Sequence, residues 1–176
     1  GLVTGVQTCA LPIFDRAVEG PDQNYLTPEQ RIPEKPLAFP WETCMTMATS
    51  WSYVPNDTYK SSTELVHLLC KIVSRGGNLL LNIGPGPDGE WADEAYQRLE
   101  DIGSWMKINS EAIYNSRPIA PYEMQGSVYT SVGDKLYVIY LNTPGDTIRD
   151  LQLNIPEGYA AVPELLGSSA ELKYNV

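Results

Sequence analysis

The sequence predicts an α/β chain in which a parallel strand–helix–strand unit precedes a separate antiparallel β-module. Three observations carry this. A capped, amphipathic helix lies between two short apolar runs. The second run directly follows a Gly-Gly helix stop. Beyond Arg117-Pro118 the pattern changes to short alternating runs separated by turn signals.

In chain order, the first fourteen residues, GLVTGVQTCALPIF, have no positively charged start and are not read as a signal peptide. They are set apart as a non-native leader, and the chain divides at 1–14, 15–117 and 118–176. Residues 15–40 hold five of the fourteen prolines and little periodicity, which predicts a long loop rather than a helix or strand. Cys44-Met45-Thr46-Met47-Ala48 reads as a buried strand, and an aromatic, polar loop follows from Ser50 to Lys60. Ser61 and Glu64 make a capping-box pattern, and Leu65, Leu68, Leu69 and Ile72 then fall on one helical stripe. Gly76-Gly77 ends that helix. Leu79-Leu80-Leu81-Asn82-Ile83 reads as a parallel-sheet strand buried on both faces.

The Gly84-Pro85-Gly86-Pro87-Asp88-Gly89 loop has no following Lys-Ser/Thr and is a turn, not a phosphate cradle. A second helix is predicted over Asp93 to Tyr114, with Tyr96, Leu99, Ile102 and Met106 on its apolar face. Trp105 and Tyr114 are expected to pack it against its neighbours. Ser127–Thr130 and Lys135–Leu141 then read as strands, with turns at Gly133-Asp134 and Pro144-Gly145. The expectation is a sandwich of four or five strands, cut short at Val176.

Composition bounds the function. A formal net charge of −10 excludes a nucleic-acid partner, because phosphate binding needs clustered Lys and Arg. No run approaches the ~18 apolar residues of a membrane span. Three cysteines without a CxxC pair and a single histidine, His67, give no metal-ligand spacing. Four Trp and eleven Tyr suit sugar faces as well as a packed core. With 176 residues the chain is too short for a whole (β/α)8 barrel, which takes about 250.

Four segments in order carry a resemblance: FDRAVEGPDQNYLTPEQRIPEKP, PWETCMTMATSWSY, SRGGNLLLNIGPGPDGE and SWMKINSEAIYNSRP. They are similar to the α-L-fucosidases of glycoside hydrolase family 29, from about Asp15 to Tyr122 and more weakly to the end. The resemblance implies the C-terminal part of a (β/α)8-like barrel over 15–117, followed by a truncated antiparallel β-sandwich. It implies a retaining exo-glycosidase that cleaves terminal α-L-fucosyl linkages of oligosaccharides or glycoconjugates without a cofactor, and a secreted or periplasmic location. Two carboxyl groups would flank the bond, about 5–5.5 Å apart.

By the same resemblance Glu29 aligns with the family's acid/base position through its spacing to Trp41-Glu42. Glu42 is the reserve and Glu34 a third choice. Arg16 matches an arginine that reaches the sugar, where a guanidinium can orient a carboxylate. Trp51 matches an aromatic lining the pocket for the C5 methyl of this 6-deoxy sugar. Asn82 is expected to hold a neighbouring loop or the pocket wall, and His67 to be structural. The family's nucleophile is an aspartate on an earlier strand that is absent here, and neither Asp15 nor Asp22 aligns with it. The segment alone is therefore expected to be inactive, with strand edges left unpaired. A non-catalytic carbohydrate-binding or scaffold module, built on the β-rich tail and the aromatics, is the competing reading, and a different barrel glycosidase a second. Oligomeric state is not read from the sequence.

Overall fold

The computed structural model describes residues 14–15, 24–142, 151–159 and 162–174. Its first layer is a four-stranded, all-parallel sheet. The strands are β1 (Phe14–Asp15), β2 (Tyr25–Leu26), β3 (Trp41–Thr46) and β4 (Gly77–Asn82), neighbours in sequence order. β3 and β4 pair along their whole length, from Trp41↔Gly77 to Thr46↔Asn82. The chain from β2 to Gln30 runs in the same register, because Leu26 partners Trp41 and Glu29 partners Cys44. The Pro-rich stretch read as loop therefore contributes one residue of β1, the short strand β2 and a bridge. Pro28, Pro33 and Pro36 lack the N–H that a longer ladder would need. β3 itself begins at Trp41, three residues before the expected strand, since Trp41, Thr43 and Met45 continue the alternating buried pattern.

Helix α1 (Ser62–Val73) connects β3 to β4. Of the predicted capping box the serine half is present: Ser61 Oγ accepts from the Glu64 backbone N–H at 3.1 Å. The helix buries two faces rather than one stripe. Leu65 and Leu68 pack with Met47, Leu81, Ala95 and Ile102. Val66, Leu69, Cys70 and Val73 pack with Ile113, Val128 and Ile139. Helix α1 thus lies between the parallel sheet and the β-module.

Helix α2 (Asp93–Asn109) ends five residues before Tyr114, and a 3-10 turn follows at Ser110–Ala112. Its buried side is set by Ala95, Ile102, Trp105 and Met106, which keeps Ile102 and Met106 of the expected face and corrects Tyr96 and Leu99. Tyr96 and Leu99 are exposed; Tyr96 instead donates its hydroxyl to Glu90 at 2.7 Å and leans on the Trp91 ring. Tyr114 is likewise exposed rather than packed, while Trp105 packs as expected.

The second layer is an antiparallel sheet in the order β5 (Arg117–Met124), β6 (Ser127–Val132), β7 (Lys135–Tyr140). The β6–β7 turn falls at Gly133-Asp134 as predicted, with Gly133 at φ +59°. Residues 151–159 and 162–174 carry no strand, and the expected turn at Pro144-Gly145 lies outside the described residues. The two layers are clamped through Glu123 of β5, which takes Arg75 at 2.6 Å and Lys71 at 3.0 Å. Arg75 also donates to the carbonyl of Glu34 at 3.3 Å.

One face of the parallel sheet meets the helices; the other does not. Leu80 of β4, expected to be buried, is 49% exposed on the free face. Glu42, Cys44 and Thr46 of β3 share that face with Asn78, Leu80 and Asn82 of β4, because in-register parallel partners project to the same side. Among the described residues this face is open at Leu80, while Gln30 and Lys60 cover it at Thr46, which is buried.

Candidate active site

In parallel α/β sheets, ligands bind at the carboxyl ends of the strands, where the loops leave. Here those ends are Glu29-Gln30, Thr46–Ala48 and Asn82–Gly84. Glu29 is exposed and forms an isolated parallel bridge with Cys44, three residues beyond β2 and on the same face as Cys44. The strand is pinned on either side of it. Cys44 N–H donates to Pro28 O at 3.2 Å, and Gln30 N–H donates to Cys44 O at 2.9 Å. Gln30 then turns into the left-handed region at φ +54°, which few residues with a side chain adopt. Its amide Nε2 donates to Thr46 Oγ1 at 3.0 Å.

The same hydroxyl accepts from Lys60 Nζ at 3.3 Å, and Lys60 also donates to Thr46 O at 2.6 Å and Ala48 O at 3.2 Å. All three ammonium protons thus have acceptors, each an uncharged oxygen. None of Gln30, Thr46 and Lys60 was singled out in the sequence. They are far apart along the chain and carry no motif spacing; only the strand register brings them together.

The loop after β3 is ordered by Asp57. Its carboxylate accepts from the Thr49 hydroxyl, the Ser50 N–H at 3.1 Å and the Thr58 N–H at 2.7 Å. The Thr49 bond, together with these backbone bonds, holds the carboxyl below its ordinary range despite the upward pull of desolvation. Asn82, at the end of β4, donates from Nδ2 to Trp51 O at 2.8 Å. It therefore holds the neighbouring loop, as anticipated, and keeps Trp51, a residue 41% exposed, at the strand ends.

Gly84 permits this closeness, because a Cβ there would lie 2.5 Å from Tyr53 N. Tyr53, Asp57, Tyr59, Asn82 and Gly84 line a crevice of about 10 Å³, roughly the room of one water. No sugar fits inside it. Burial pushes the Tyr59 hydroxyl above its ordinary value, helped by the charges of Glu94 and Asp57.

The other candidates lie elsewhere. Glu42 is the second residue of β3, in register with Asn78. Four residues of strand, about 13 Å, separate it from the carboxyl end at Thr46. Glu34 is in the loop whose carbonyl meets Arg75, just before β4 begins, so it belongs to the opposite end of the sheet. Arg16 lies outside the described residues. His67 is half-buried on α1. No group of three His, Cys, Asp or Glu suited to a metal occurs among the described residues, and none of their helices is long and apolar enough to cross a membrane.

The fold is that of a parallel α/β segment with loops leaving the carboxyl ends of its strands, and comparison with known proteins gives the family. A sequence model of the alpha-L-fucosidases matches residues 5–111. The alpha-L-fucosidase of Branchiostoma floridae is 36% identical over 142 residues, 76% of this chain and 31% of the relative. The tissue alpha-L-fucosidase of Homo sapiens is 34% identical over 151 residues, 80% of this chain and 32% of the relative. The crystal structure of Thermotoga maritima alpha-fucosidase in complex with fucose superposes with a TM-score of 0.65 at 30% identity, covering 80% of this chain and 34% of that one. The chain belongs to the alpha-L-fucosidase family. It spans about a third of the length of the curated relatives it matches.

Proposed function

We propose that this segment supplies the acid/base half of the active site of a retaining α-L-fucosidase, acting within a longer polypeptide. Glu29 is the general acid and base, and the attacking aspartate comes from an earlier strand outside these residues. The placement of Glu29 carries the proposal: it bridges Cys44 in parallel register with β3, on the same face, at the same end as Trp51.

In the first step the protonated Glu29 carboxyl donates to the glycosidic oxygen while the aspartate attacks the anomeric carbon, and the sugar–oxygen bond breaks. In the second step the Glu29 carboxylate takes a proton from water, which displaces the aspartate and restores the anomeric configuration. The exposed ring of Trp51 offers an apolar wall for the C5 methyl, a preference on the order of 1–3 kcal/mol over a hydroxymethyl. Arg16 is assigned to orienting the sugar and the nucleophile's carboxylate. The same account extends the parallel sheet into a (β/α)8-like barrel, whose remaining strands cover Leu80, and the antiparallel sheet into a sandwich. Terminal α-L-fucosides of oligosaccharides or glycoconjugates are the substrates, and the segment by itself is inactive for want of the nucleophile.

The test is Glu29→Gln in the full-length protein. Turnover of unactivated α-L-fucosides should fall by about 10²–10⁴. Parental activity on such linkages would move the assignment to Glu42.

A further inference from the structure

Thr46 is 2% exposed, yet its hydroxyl is the junction of three elements. Its oxygen accepts from Gln30 Nε2 at 3.0 Å and from Lys60 Nζ at 3.3 Å, so both lone pairs are engaged. Lys60 is itself fixed. Its N–H donates to Met47 O at 2.9 Å, and its carbonyl accepts from Arg98 Nε of α2 at 2.8 Å. A rigid path therefore runs from helix α2 through Lys60 and Thr46 to Gln30, the residue after Glu29. The left-handed backbone of Gln30 is held on both sides by this path and by its N–H bond to Cys44 O at 2.9 Å.

Glu29, by contrast, lies three residues beyond a strand that is regular for only two residues, Tyr25–Leu26, and pairs through a single bridge to Cys44. Pairing over so short a stretch does not fix the angle at which the next carboxyl leaves the sheet. We propose that Gln30, Thr46 and Lys60 are positioning residues for the Glu29 carboxyl: the amide–hydroxyl–ammonium chain sets the strand end from which it reaches the glycosidic oxygen. This rests on the acid/base reading of Glu29. The three residues touch neither sugar nor reacting atoms. They act through the backbone of Gln30, and misplacement of a catalytic group by about 1 Å can cost on the order of 10²-fold.

Thr46→Val in the full-length protein removes the hydroxyl and keeps the shape. The expected result is a roughly 10- to 100-fold fall in kcat on α-L-fucosides with an unactivated sugar leaving group, with KM changed less than about twofold. The first step on an aryl α-L-fucoside with a good leaving group should stay near the parent, because it needs little acid assistance. Added azide, which needs no general base, should restore its overall turnover. Lys60→Met should follow the same pattern. A merely structural role would lower both substrates alike and leave azide without effect, which would overturn the proposal. Where Thr46→Val fails to fold, Gln30→Ala at an exposed position gives the same reading, and Gln30→Asn, which keeps an amide, should recover part of the loss. Glu29→Gln is run beside them. Loss in Glu29→Gln with parental kcat in the Thr46 and Gln30 variants overturns the positioning and leaves the acid/base role standing. Parental activity in Glu29→Gln overturns both.

Discussion

Gly77 opens β4 directly opposite Trp41, and replacing it with alanine should force the indole out of its place. A Cβ built on Gly77 lies 2.3, 2.4 and 2.5 Å from three atoms of the Trp41 ring. Carbon atoms in ordinary contact stand about 3.5–4.0 Å apart, so the ring or the strand must give by more than an ångström. The ring has little freedom to do so: Trp41 is 1% exposed, and its Nε1–H donates to Arg75 O at 3.1 Å. Overpacking of this kind costs about 1–3 kcal/mol. Swinging the indole away strands a buried N–H for a further 1–3 kcal/mol or so. Together they come to about 2–6 kcal/mol, or roughly 4–24 °C in thermal midpoint for a domain of this size.

The assay is thermal unfolding of the full-length protein, followed by far-ultraviolet circular dichroism, for Gly77→Ala, Trp41→Phe and the double variant. The colliding ring atoms belong to the six-membered half of the indole, which a phenyl ring in its place would not reproduce. The double variant should therefore lose at least about 1 kcal/mol less than the sum of the singles, the coupling expected of residues in contact. Strict additivity, or a Gly77→Ala midpoint equal to the parent, would refute the packing argument and with it the Trp41↔Gly77 register.

Two further outcomes follow from the electrostatics. Burial raises the Glu123 carboxyl, but the hydrogen bonds from Arg75 and Lys71 outweigh it and leave the group below its ordinary value. A depressed carboxylate contributes stability above its unfolded pKa and loses it as pH falls through the lower folded value. Glu123→Gln should accordingly lower stability at neutral pH by about 1–3 kcal/mol, and the gap should close as the pH falls below about 4; a gap independent of pH would count against the clamp. Burial pushes the Cys70 thiol up to about 12. Cys70 should therefore resist thiol reagents at neutral pH until the protein unfolds, and a native-state adduct there, read by mass spectrometry, would contradict its placement.

The local signals in the sequence translated well where the chain's neighbours are close by. Ser61 and Glu64 lie three residues apart, and the Ser61 hydroxyl caps the Glu64 N–H as the pattern predicts; Gly133-Asp134 likewise makes the hairpin turn. The α2 face was misread because Tyr96 and Leu99 fit a helical stripe as well as Ala95 and Trp105 do. Packing against Met47 on one side and the β-module on the other decides between them, and neither is visible in a helical wheel. Leu80 read as buried because a continuous apolar run signals cover on both faces of a strand, while only the helix side is covered here. At the strand ends, Glu29 and Trp51 could be singled out through a resemblance, and Asn82 by its place after an apolar strand. Gln30, Thr46 and Lys60 could not, because a common polar residue acquires meaning there only from the register of β2 and β3.

The central claim is that Glu29 acts first as acid and then as base, and it is tested most directly by the rate of Glu29→Gln across a series of aryl α-L-fucosides with and without azide. The account predicts that the first step becomes steeply dependent on leaving-group acidity, and that azide speeds turnover of the best leaving groups. It also predicts an α-fucosyl azide as product, since azide would replace water with retention. A leaving-group dependence unchanged from the parent, together with no azide adduct, would contradict it.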